Sequence, residues 1–375
     1  MAGLLENVDP DGLLEYSVVY TDRAVNHMSG VFQSVMTDLS ATLKKVYNAD
    51  AAVIVPGSGT FGMEAVARQF AAGKNCLVIR NGWFSYRWTQ IFEMGRIPGR
   101  STVLKARQIE DKTTSPFVPA PIEEVVATIR SEKPDLVFAA HVETSSGMLL
   151  PDDYLRAVAN AVHEHGGLLV LDCIASGTIW VDMQSVGVDI LISAPQKGWS
   201  GSPCAAFVML NSKALDIMSR TTSSSYACDL AKWHAIMRAY EGGGHAYHAT
   251  MPTDALRVCR DVMNEALAYG FDKLRNRQQE LGDRVRAMLA KKGVQSVAAP
   301  GFEAPGVVVC FTNDAAINNG SKFAALGLQI AAGVPLQCDE RNDFMTFRIG
   351  LFGLDKLQNP DRTIDSLEKA LNKVL

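Results

Sequence analysis

A glycine-rich stretch at residues 56–62, Pro-Gly-Ser-Gly-Thr-Phe-Gly, has residue types and spacing that are typical of an anion-binding loop. It follows the apolar run 51–55 and precedes a helical pattern. Backbone N–H groups at the start of a helix attract anions, and glycines let the backbone approach a ligand closely. Gly57, Gly59 and Gly62 also match the G-x-G-x-x-G spacing of dinucleotide-binding loops. The loop is therefore a phosphate site, a dinucleotide site or a plain tight turn.

The dinucleotide interpretation depends on the residues at the end of the next apolar run, 76–80. An acidic residue there would bind the ribose of NAD, but the sequence continues with Arg80, Asn81 and Gly82. Arg80 would favour NADP, because a guanidinium group binds phosphate well. An NADP-dependent oxidoreductase therefore stays as an alternative function.

Two further polar residues follow apolar runs at points where ligands often bind. Asp172 ends the run 168–171, and Lys197 follows the run 190–193 after a short turn. In an open parallel sheet, ligands bind beyond the carboxyl ends of the strands, so we expect both side chains in one crevice. Taken singly, the aspartate fits a helix N-cap and the lysine fits a surface position. The pair carries the functional interpretation.

The loop, the aspartate and the lysine have a joint chemical meaning. An aldehyde cofactor with a phosphate tail needs an amine for a Schiff base, an anion for its pyridinium nitrogen and an anion hole for its phosphate. Pyridoxal 5′-phosphate has these three requirements. The sequence therefore predicts a pyridoxal phosphate site with Lys197 and Asp172 as catalytic residues.

Six short apolar runs must position these groups. They lie at 51–55, 76–80, 136–140, 168–171, 190–193 and 205–210. Because the runs are continuous rather than alternating, they indicate strands that are covered on both faces. Helical patterns at 63–72 and 152–165 separate some of them, which predicts an α/β fold with a mostly parallel sheet flanked by helices.

The last third of the chain has a different pattern. A long amphipathic stretch at 255–292, broken near Gly270, leads out of the first unit. Short strand and helix patterns then follow at 307–311, 322–325, 346–349 and 362–373. We predict a large cofactor-binding domain at 18–265 and a small α+β domain at 266–375, on which residues 1–17 can also pack.

Composition argues against several classes of function. The 375 residues carry a formal net charge of −4, whereas a protein that binds the nucleic-acid backbone is normally basic. No run approaches the ~20 apolar residues of a membrane helix, and residues 1–20 lack a signal-peptide pattern. The seven cysteines are scattered without a CxxC pair, which is typical of reduced thiols. We expect a cytoplasmic protein without nucleic-acid, membrane or metal binding.

Three segments, taken in order, resemble the class V aminotransferases of fold type I. They read His-Val-Glu-Thr-Ser-Ser-Gly-Met-Leu at 141–149, Leu-Asp-Cys-Ile-Ala-Ser at 171–176, and Asp-Ile-Leu through Gln-Lys at 189–197. The resemblance is to the alanine–glyoxylate and serine–pyruvate type and extends from about residue 50 to the C-terminus. It implies a fold type I pyridoxal phosphate enzyme that forms a homodimer with shared active sites.

The resemblance also implies a role for each matching residue. Lys197 would form the Schiff base and move the substrate proton, and Asp172 would pair with the pyridine nitrogen. Phe84, or Trp83 beside it, would stack on the cofactor ring, and Arg348 would bind the substrate carboxylate. Further contacts would come from Ser58, Gly59, Thr60 and Gln196 at the phosphate, from Thr144 near the ring oxygen, and from Tyr247 and Thr250 donated by the second subunit.

The implied activity is transamination from a small amino acid or amine to a 2-oxo acid such as glyoxylate or pyruvate. The family usually begins with a Gly-Pro-Gly-Pro stretch beside the substrate, but residues 9–17 read Asp-Pro-Asp-Gly-Leu-Leu-Glu-Tyr-Ser. The amino donor therefore stays open. A pyridoxal phosphate lyase acting on a β-substituted amine is an alternative within the same cofactor class, and a non-catalytic binding protein is another outside it.

Overall fold

Strands and helices alternate through the first two-thirds of the chain, as the apolar runs predict. The structure, a computed structural model, describes residues 4–375. The strands are β1 (Ala51–Pro56), β2 (Asn75–Arg80), β3 (Arg100–Lys105), β4 (Arg107–Gln108), β5 (Phe117–Val118), β6 (Leu136–Ala140), β7 (Val142–Glu143), β8 (Met148–Leu149), β9 (Leu168–Asp172), β10 (Ile190–Ser193), β11 (Ala205–Leu210), β12 (Val307–Phe311), β13 (Ala331–Ala332) and β14 (Thr346–Gly350).

The helices surround these strands. They are α1 (Gly30–Tyr47), α2 (Gly59–Phe70), α3 (Trp83–Gly95), α4 (Ile122–Glu132), α5 (Asp152–His163), α6 (Met183–Val186), α7 (Ser212–Met218), α8 (Leu230–Glu241), α9 (Thr253–Tyr269), α10 (Phe271–Lys291), α11 (Ala315–Asn318), α12 (Ser321–Ala324), α13 (Leu354–Gln358) and α14 (Pro360–Val374).

The main sheet has seven strands in the order β1-β11-β10-β9-β6-β2-β3. Neighbours from β10 to β3 pair in parallel, and β11 pairs antiparallel with both β10 and β1. The predicted α/β class and mostly parallel sheet are therefore confirmed. All six predicted runs are strands of this sheet. The carboxyl ends of β9 and β10 lie side by side, which places the residues after them at one edge.

Burial explains why the sequence identified the central strands and missed β3. Side chains of β6 and β9 are buried on both faces, so their apolar runs are unbroken. β3 is an edge strand whose residues are exposed or half-buried, and its sequence Arg-Ser-Thr-Val-Leu-Lys is correspondingly mixed. Each large aliphatic side chain buried in the centre contributes roughly 1.5–3 kcal/mol.

Helix α2 begins earlier than the sequence predicts. The pattern places its start at residue 63, but the helix starts at Gly59, with Ser58 as an N-cap in extended conformation. The glycine-rich loop thus supplies the first turn of α2. The backbone N–H groups of Gly59 and Thr60 donate to no acceptor in residues 4–375, whereas those of Phe61 and Gly62 donate to the carbonyl oxygen of Ser58.

The C-terminal part forms a second group of elements. Helices α9 and α10 are separated by Gly270, whose φ of 102° favours glycine, and this break agrees with the sequence. A small sheet of order β12-β14-β13 follows. One apolar cluster runs from Val8 to Met263 and another from Ala266 to Val374. We propose that the domain boundary lies near residue 265, as the sequence suggests.

The described part of the N-terminal segment packs against the first cluster. Val8 is buried there, and Arg257 of α9 donates hydrogen bonds to the carbonyl oxygens of Val8 (2.6 Å) and Asn7 (3.1 Å). We propose that residues 4–17 belong with the large domain rather than with residues 266–375.

Three further features of residues 4–375 concern membrane-spanning helices, metal-binding groups and disulfide bonds. No helix in this range has both the length and the apolar character needed to cross a bilayer. No three His, Cys, Asp or Glu side chains in the same range are grouped to hold a metal ion. All seven cysteines are buried free thiols.

Candidate active site

A cavity of about 170 Å³ lies at the carboxyl edge of the main sheet. Its walls come from the first turn of α2, from α3, from the segment after β7 and from the residues that follow β9 and β10. The lining residues are Ser58, Gly59, Thr60, Met63, Phe84, Arg87, Val142, Thr144, Asp172, Ile174, Ala175, Gln196 and Lys197. Residues that are more than a hundred positions apart in the sequence thus meet at one site.

The first turn of α2 forms the anion-binding wall. Gly57 has a φ of 123°, and the chain turns there from β1 into the helix. The Ser58 side chain makes no capping hydrogen bond, so its hydroxyl is available to a ligand. A Cβ on Gly59 would lie 2.5 Å from Cδ1 of Ile174, so a larger residue would push the loop off the opposite wall. This arrangement fits a phosphate group.

Asp172 is the last residue of β9 and is 6% exposed. Its Oδ1 accepts a hydrogen bond from the backbone N of Ile174 at 2.9 Å, and its Oδ2 accepts none from residues 4–375. Burial raises the pKa of Asp172 to about 6, while the nearby Lys197 opposes that rise. A buried carboxylate with a free oxygen at a cavity wall suits a cationic ring N–H.

Lys197 follows β10 and lies between two aromatic rings. Its Nζ is 5.6 Å from the ring centroid of Phe84 and 5.7 Å from that of Phe352. Burial lowers the pKa of Lys197, and the negative charges of Asp172 and Glu143 oppose this effect. The lowered pKa makes the neutral amine, which is the nucleophilic form, easier to reach than in an exposed lysine.

Helix α3 contributes Phe84 and Arg87, one turn apart. Arg87 donates from Nη1 to Oγ1 of Thr60 at 2.9 Å, and its Cζ is 5.1 Å from the Phe84 ring centroid. Trp83 does not line the cavity, and its ring is 5.7 Å from that of Tyr86. Phe84 is therefore the aromatic residue of the cavity. The motifs in the sequence did not single out Arg87, although its spacing from Phe84 places both on one helix face.

Arg348 of β14 is not among the residues that line the cavity, but it lies close to one of them. Its Cζ is 5.8 Å from the Phe84 ring centroid. Its Nε donates to the carbonyl oxygen of Ala332 at 2.7 Å, and its two Nη atoms donate to no acceptor in residues 4–375. Burial lowers the pKa of Arg348. Two free N–H groups on one side of a guanidinium match the geometry of a carboxylate.

Tyr247 and Thr250 do not reach this cavity from the same chain. The Tyr247 hydroxyl lies 3.0 Å from Oγ1 of Thr250, and its ring centroid is 5.5 Å from that of His27. Tyr247 is 53% exposed. The two residues face solvent in the single chain, so the roles implied for them need a second subunit.

The residues present fit pyridoxal phosphate. Thr144 Oγ1 and Gln196 Oε1 are buried and have no hydrogen-bond partner in residues 4–375. Because a buried polar atom without a partner costs about 1–3 kcal/mol, atoms of this kind at a cavity wall indicate a polar ligand. Together with the Asp172 carboxylate and the Lys197 amine, they provide the donor and acceptor set that this cofactor requires.

Arg80, which the sequence offers for a dinucleotide phosphate, is engaged elsewhere. It is 8% exposed and donates to Oγ1 of Thr89 (2.9 Å) and to the carbonyl oxygen of Gln337 (3.2 Å). Its guanidinium also lies over the Tyr86 ring at 4.7 Å. Arg80 is not among the cavity residues, and it connects the end of β2 to the segment before β14.

Comparison with known proteins agrees with this chemistry. The family model described as aminotransferase class-V matches residues 12–326. The chain is 30% identical over 340 residues to 2-aminoethylphosphonate–pyruvate transaminase 2 of Paraburkholderia xenovorans, which covers 88% of this chain and 84% of that protein. It is 26% identical over 361 residues to alanine–glyoxylate aminotransferase of Rattus norvegicus, covering 93% and 82%.

A solved structure shows the same fold. Alanine–glyoxylate aminotransferase from Nostoc sp. superposes with a TM-score of 0.77 at 22% identity, covering 92% of this chain and 89% of that one. The family that the sequence segments resemble is thereby confirmed. The chain belongs to the class-V aminotransferases, and it is a pyridoxal-phosphate-dependent transaminase of fold type I.

Proposed function

We propose that Lys197 carries the cofactor and moves the reaction's proton, that Asp172 holds the cofactor ring, and that Arg348 binds the substrate carboxylate. The observation that carries this proposal is the position of the half-buried Lys197 amine, which lies 5.6 and 5.7 Å from the centroids of two aromatic rings at the wall that it shares with Asp172. When bound, pyridoxal phosphate supplies an electron-withdrawing ring that stabilises negative charge at the substrate Cα.

Each residue's task follows from its environment. Lys197 would hold the cofactor through its amine nitrogen; once the substrate's own amine has taken that place on the cofactor, the freed Nζ would accept the proton from the substrate Cα. The free oxygen of Asp172 holds the proton on the ring nitrogen. Phe84 orients the ring by stacking on it. The N–H groups of α2, with the hydroxyls of Ser58 and Thr60, bind the phosphate.

Arg87 and Gln196 complete the polar wall in this proposal. Arg87 already contacts Thr60, so its positive charge adds to the field of the helix N-terminus where the phosphate binds. The buried Oε1 of Gln196 and the hydroxyl of Thr144 then find partners on the cofactor.

For substrates, we propose a small amino acid or amine as donor and a 2-oxo acid such as glyoxylate or pyruvate as acceptor. The names of the relatives support this choice, since they pair alanine with glyoxylate and 2-aminoethylphosphonate with pyruvate. The free Nη atoms of Arg348 support a carboxylate on the substrate.

Borohydride trapping followed by peptide mapping tests the site. Reduction of the yellow holoenzyme is expected to fix the cofactor on the peptide that contains Lys197, and its recovery on another lysine would contradict the assignment. A panel of alanine, serine and 2-aminoethylphosphonate against glyoxylate and pyruvate then identifies the donor. Ammonia release without an amino acceptor would instead show a lyase.

We also propose that the enzyme is a homodimer whose active sites are shared. Tyr247 and Thr250 lie outside their own chain's cavity, as expected if they reach the phosphate of the partner. The N-terminal segment supplies an apolar surface for the same contact, because Leu13 and Tyr16 are each 90% exposed. Exposed apolar groups of this size are typical of subunit interfaces.

Mixed dimers test the shared site. Lys197→Ala chains are mixed with chains that carry Tyr247→Phe and Thr250→Ala together, and each variant alone is expected to be impaired. If sites are shared, each mixed dimer regains one native site, so a statistical mixture recovers about a quarter of the wild-type activity. If each site lies within one chain, mixing restores nothing.

The proposed location is the cytoplasm. All seven cysteines are buried as free thiols, which is the usual state in a reducing compartment.

A further inference from the structure

Glu143 is a buried carboxylate next to the proposed site, and no catalytic step assigned above uses it. It ends β7, is fully buried, and forms no ion pair with a cation of residues 4–375. Burying a carboxylate is unfavourable unless hydrogen bonds replace its water shell. Its hydrogen bonds therefore indicate what it does.

Five donors converge on its two oxygens. Oε1 accepts from the backbone N of Phe84 (3.2 Å) and from the backbone N and Oγ of Ser145 (3.1 and 2.7 Å). Oε2 accepts from the backbone N and Oγ of Ser85 (2.8 Å each). A backbone N–H points at each oxygen, so the side chain accepts hydrogen bonds at both positions.

These donors belong to two walls of the cavity. Phe84 and Ser85 are in the first turn of α3, and Ser145 follows Thr144 in the segment after β7. Glu143 thus acts as the N-cap of α3 from a distant part of the chain, because the local N-cap is Gly82, which has no side chain. The favourable interaction of a negative charge with a helix N-terminus adds to the hydrogen bonds.

Ser145 and Gly82 keep the start of α3 close to the Glu143 carboxylate. Oγ of Ser145 accepts from the backbone N of Trp83 at 2.9 Å, which adds a second bond between the segment and the helix. A Cβ on Gly82 would collide with Oγ of Ser145 and lie 2.8 Å from Cγ of Glu143. Only glycine at this position lets the start of α3 approach the carboxylate.

We propose that Glu143 is a positioning residue for the cofactor. By clamping the start of α3 to the segment after β7, it sets where three cavity groups lie relative to one another. These are the Phe84 ring, the Arg87 guanidinium one turn further along α3, and the Thr144 hydroxyl. The inference rests on the proposed site, since it matters only if those groups contact pyridoxal phosphate.

The test measures cofactor affinity rather than turnover alone. Glu143→Gln removes the charge and turns one acceptor into a donor that faces a backbone N–H. We expect the dissociation constant of pyridoxal phosphate for the apoprotein, measured by fluorescence titration, to rise at least about tenfold. The visible circular dichroism band of the bound cofactor should also change, because it reports the ring's asymmetric surroundings.

Asp189→Asn is the matched control. Asp189 is 1% exposed and accepts hydrogen bonds from the backbone N of Leu169 and from Nδ2 of Asn211, but it lies at the opposite edge of the sheet. This variant should lower the melting temperature while leaving cofactor affinity and the dichroism band at wild-type values. It therefore separates a loss of positioning from a general loss of stability.

Ser145→Ala is the milder second variant, for the case in which Glu143→Gln does not fold. It removes one hydroxyl that bridges Glu143 and Trp83, and we expect an increase of about threefold in the dissociation constant. If Glu143→Gln, or Ser145→Ala in its place, loses thermal stability but binds the cofactor as the wild type does, with the same dichroism band, the inference is wrong. A wild-type protein that does not bind the cofactor at Lys197 would instead refute the proposed site.

Discussion

Asp172 and Asp189 are buried carboxylates at opposite ends of two neighbouring parallel strands. Asp172 lies at the carboxyl end of β9, and Asp189 lies at the amino end of β10. Asp189 precedes β10, and its oxygens contact the backbone N of Leu169 (2.7 Å), Nδ2 of Asn211 (2.8 Å) and Nε2 of His163 (2.7 Å). Asp172 ends β9 and accepts one hydrogen bond from residues 4–375, from Ile174. One carboxylate is satisfied by the protein, whereas the other keeps a free acceptor.

This difference indicates that the amino ends of the strands have a structural role, whereas the carboxyl ends, which border the cavity, bind a ligand. The free oxygen of Asp172 borders the cavity, where a ligand can donate to it. Thr144 Oγ1 and Gln196 Oε1 at the same cavity are buried without a partner in residues 4–375, which costs about 1–3 kcal/mol for each atom and indicates a polar ligand. At the amino ends of the strands, the Asp189 carboxylate bonds to Leu169, Asn211 and His163, and these bonds stabilise the ends of β9 and β10. Matched substitutions at the two ends should therefore have opposite consequences.

Two lysines, one at each end of the parallel strands, should show the largest difference in activity when they are replaced. Lys197→Ala should reduce transamination at least ~10³-fold, because the reaction loses its nucleophile and its proton carrier. Lys213→Ala is the control, since the amine of Lys213 donates to the carbonyl oxygen of Gly167 at the amino end of β9, away from the cavity. Steady-state kinetics measures both variants. Substantial activity in Lys197→Ala would contradict the catalytic role proposed for Lys197.

The two aspartates should respond in opposite directions. Asp172→Asn is expected to lower kcat at least ~10²-fold, because the ring nitrogen loses its anion. The apoprotein, however, should become more stable at neutral pH. Asp189→Asn should instead reduce stability with little effect on kcat. Urea unfolding of each apoprotein, alongside kinetics, measures both effects.

The sign of the Asp172 effect follows from its pKa. Burial raises that pKa from 3.8 to about 6, so the folded state binds this proton more tightly than the unfolded state. The stability of the apoprotein therefore falls as pH rises between about 4 and 6, by at most about 3 kcal/mol. The gain from Asp172→Asn should be complete above pH ~6 and vanish near pH ~4. A pH-independent difference would contradict this origin.

Two arginines of the C-terminal part allow the same comparison between a binding residue and a structural residue. Arg348→Lys should raise the KM for the 2-oxo acid roughly 10- to 100-fold with a smaller change in kcat, because a bidentate contact is lost. Arg286 is the control, since its guanidinium donates to Ser296, Ala304 and Val307. Arg286→Lys should lower the melting temperature and leave KM unchanged. An unaltered KM in Arg348→Lys would assign carboxylate binding elsewhere.

The smallest effect is expected from two phenylalanines of α3. Phe84→Leu should raise the dissociation constant of pyridoxal phosphate about three- to tenfold, the range of one stacking interaction. Phe92 packs on Phe138 in the core, with ring centroids 5.2 Å apart, so Phe92→Leu should lower stability without changing affinity. Equal affinity in the two variants would show that Phe84 does not stack on the ring.

The sequence predicted those parts of the site that stand next to strong local patterns. Asp172 and Lys197 follow buried apolar strands, and the glycine-rich loop stands between a strand and a helix, so each was recognisable from its neighbours. Their placement at one cavity agrees with that expectation. The catalytic roles of these residues stay predictions.

Residues that act through distant contacts gave no such signal. Arg87 and Glu143 look like ordinary helix and strand residues, and only their contacts with Thr60 and with the start of α3 show their importance. Phe352 was missed because its ring meets Lys197 only after the C-terminal part packs against the sheet. Helix α1 was missed as well, although Ser29 caps it.

The sequence alone determined the α/β class and the order of the strands along the chain, because each residue type carries local information on burial and periodicity. It indicated the family through the resemblance of the segments at 141–149, 171–176 and 189–197. Tertiary structure decided that Phe84 rather than Trp83 faces the cavity, that Arg348 lies 5.8 Å from its ring, and that Asp172 keeps a free oxygen while Asp189 does not. The physical reason is that these outcomes depend on which distant elements pack together. Side-chain pattern sets which face of an element is buried, but the partner it is buried against is selected by the whole fold.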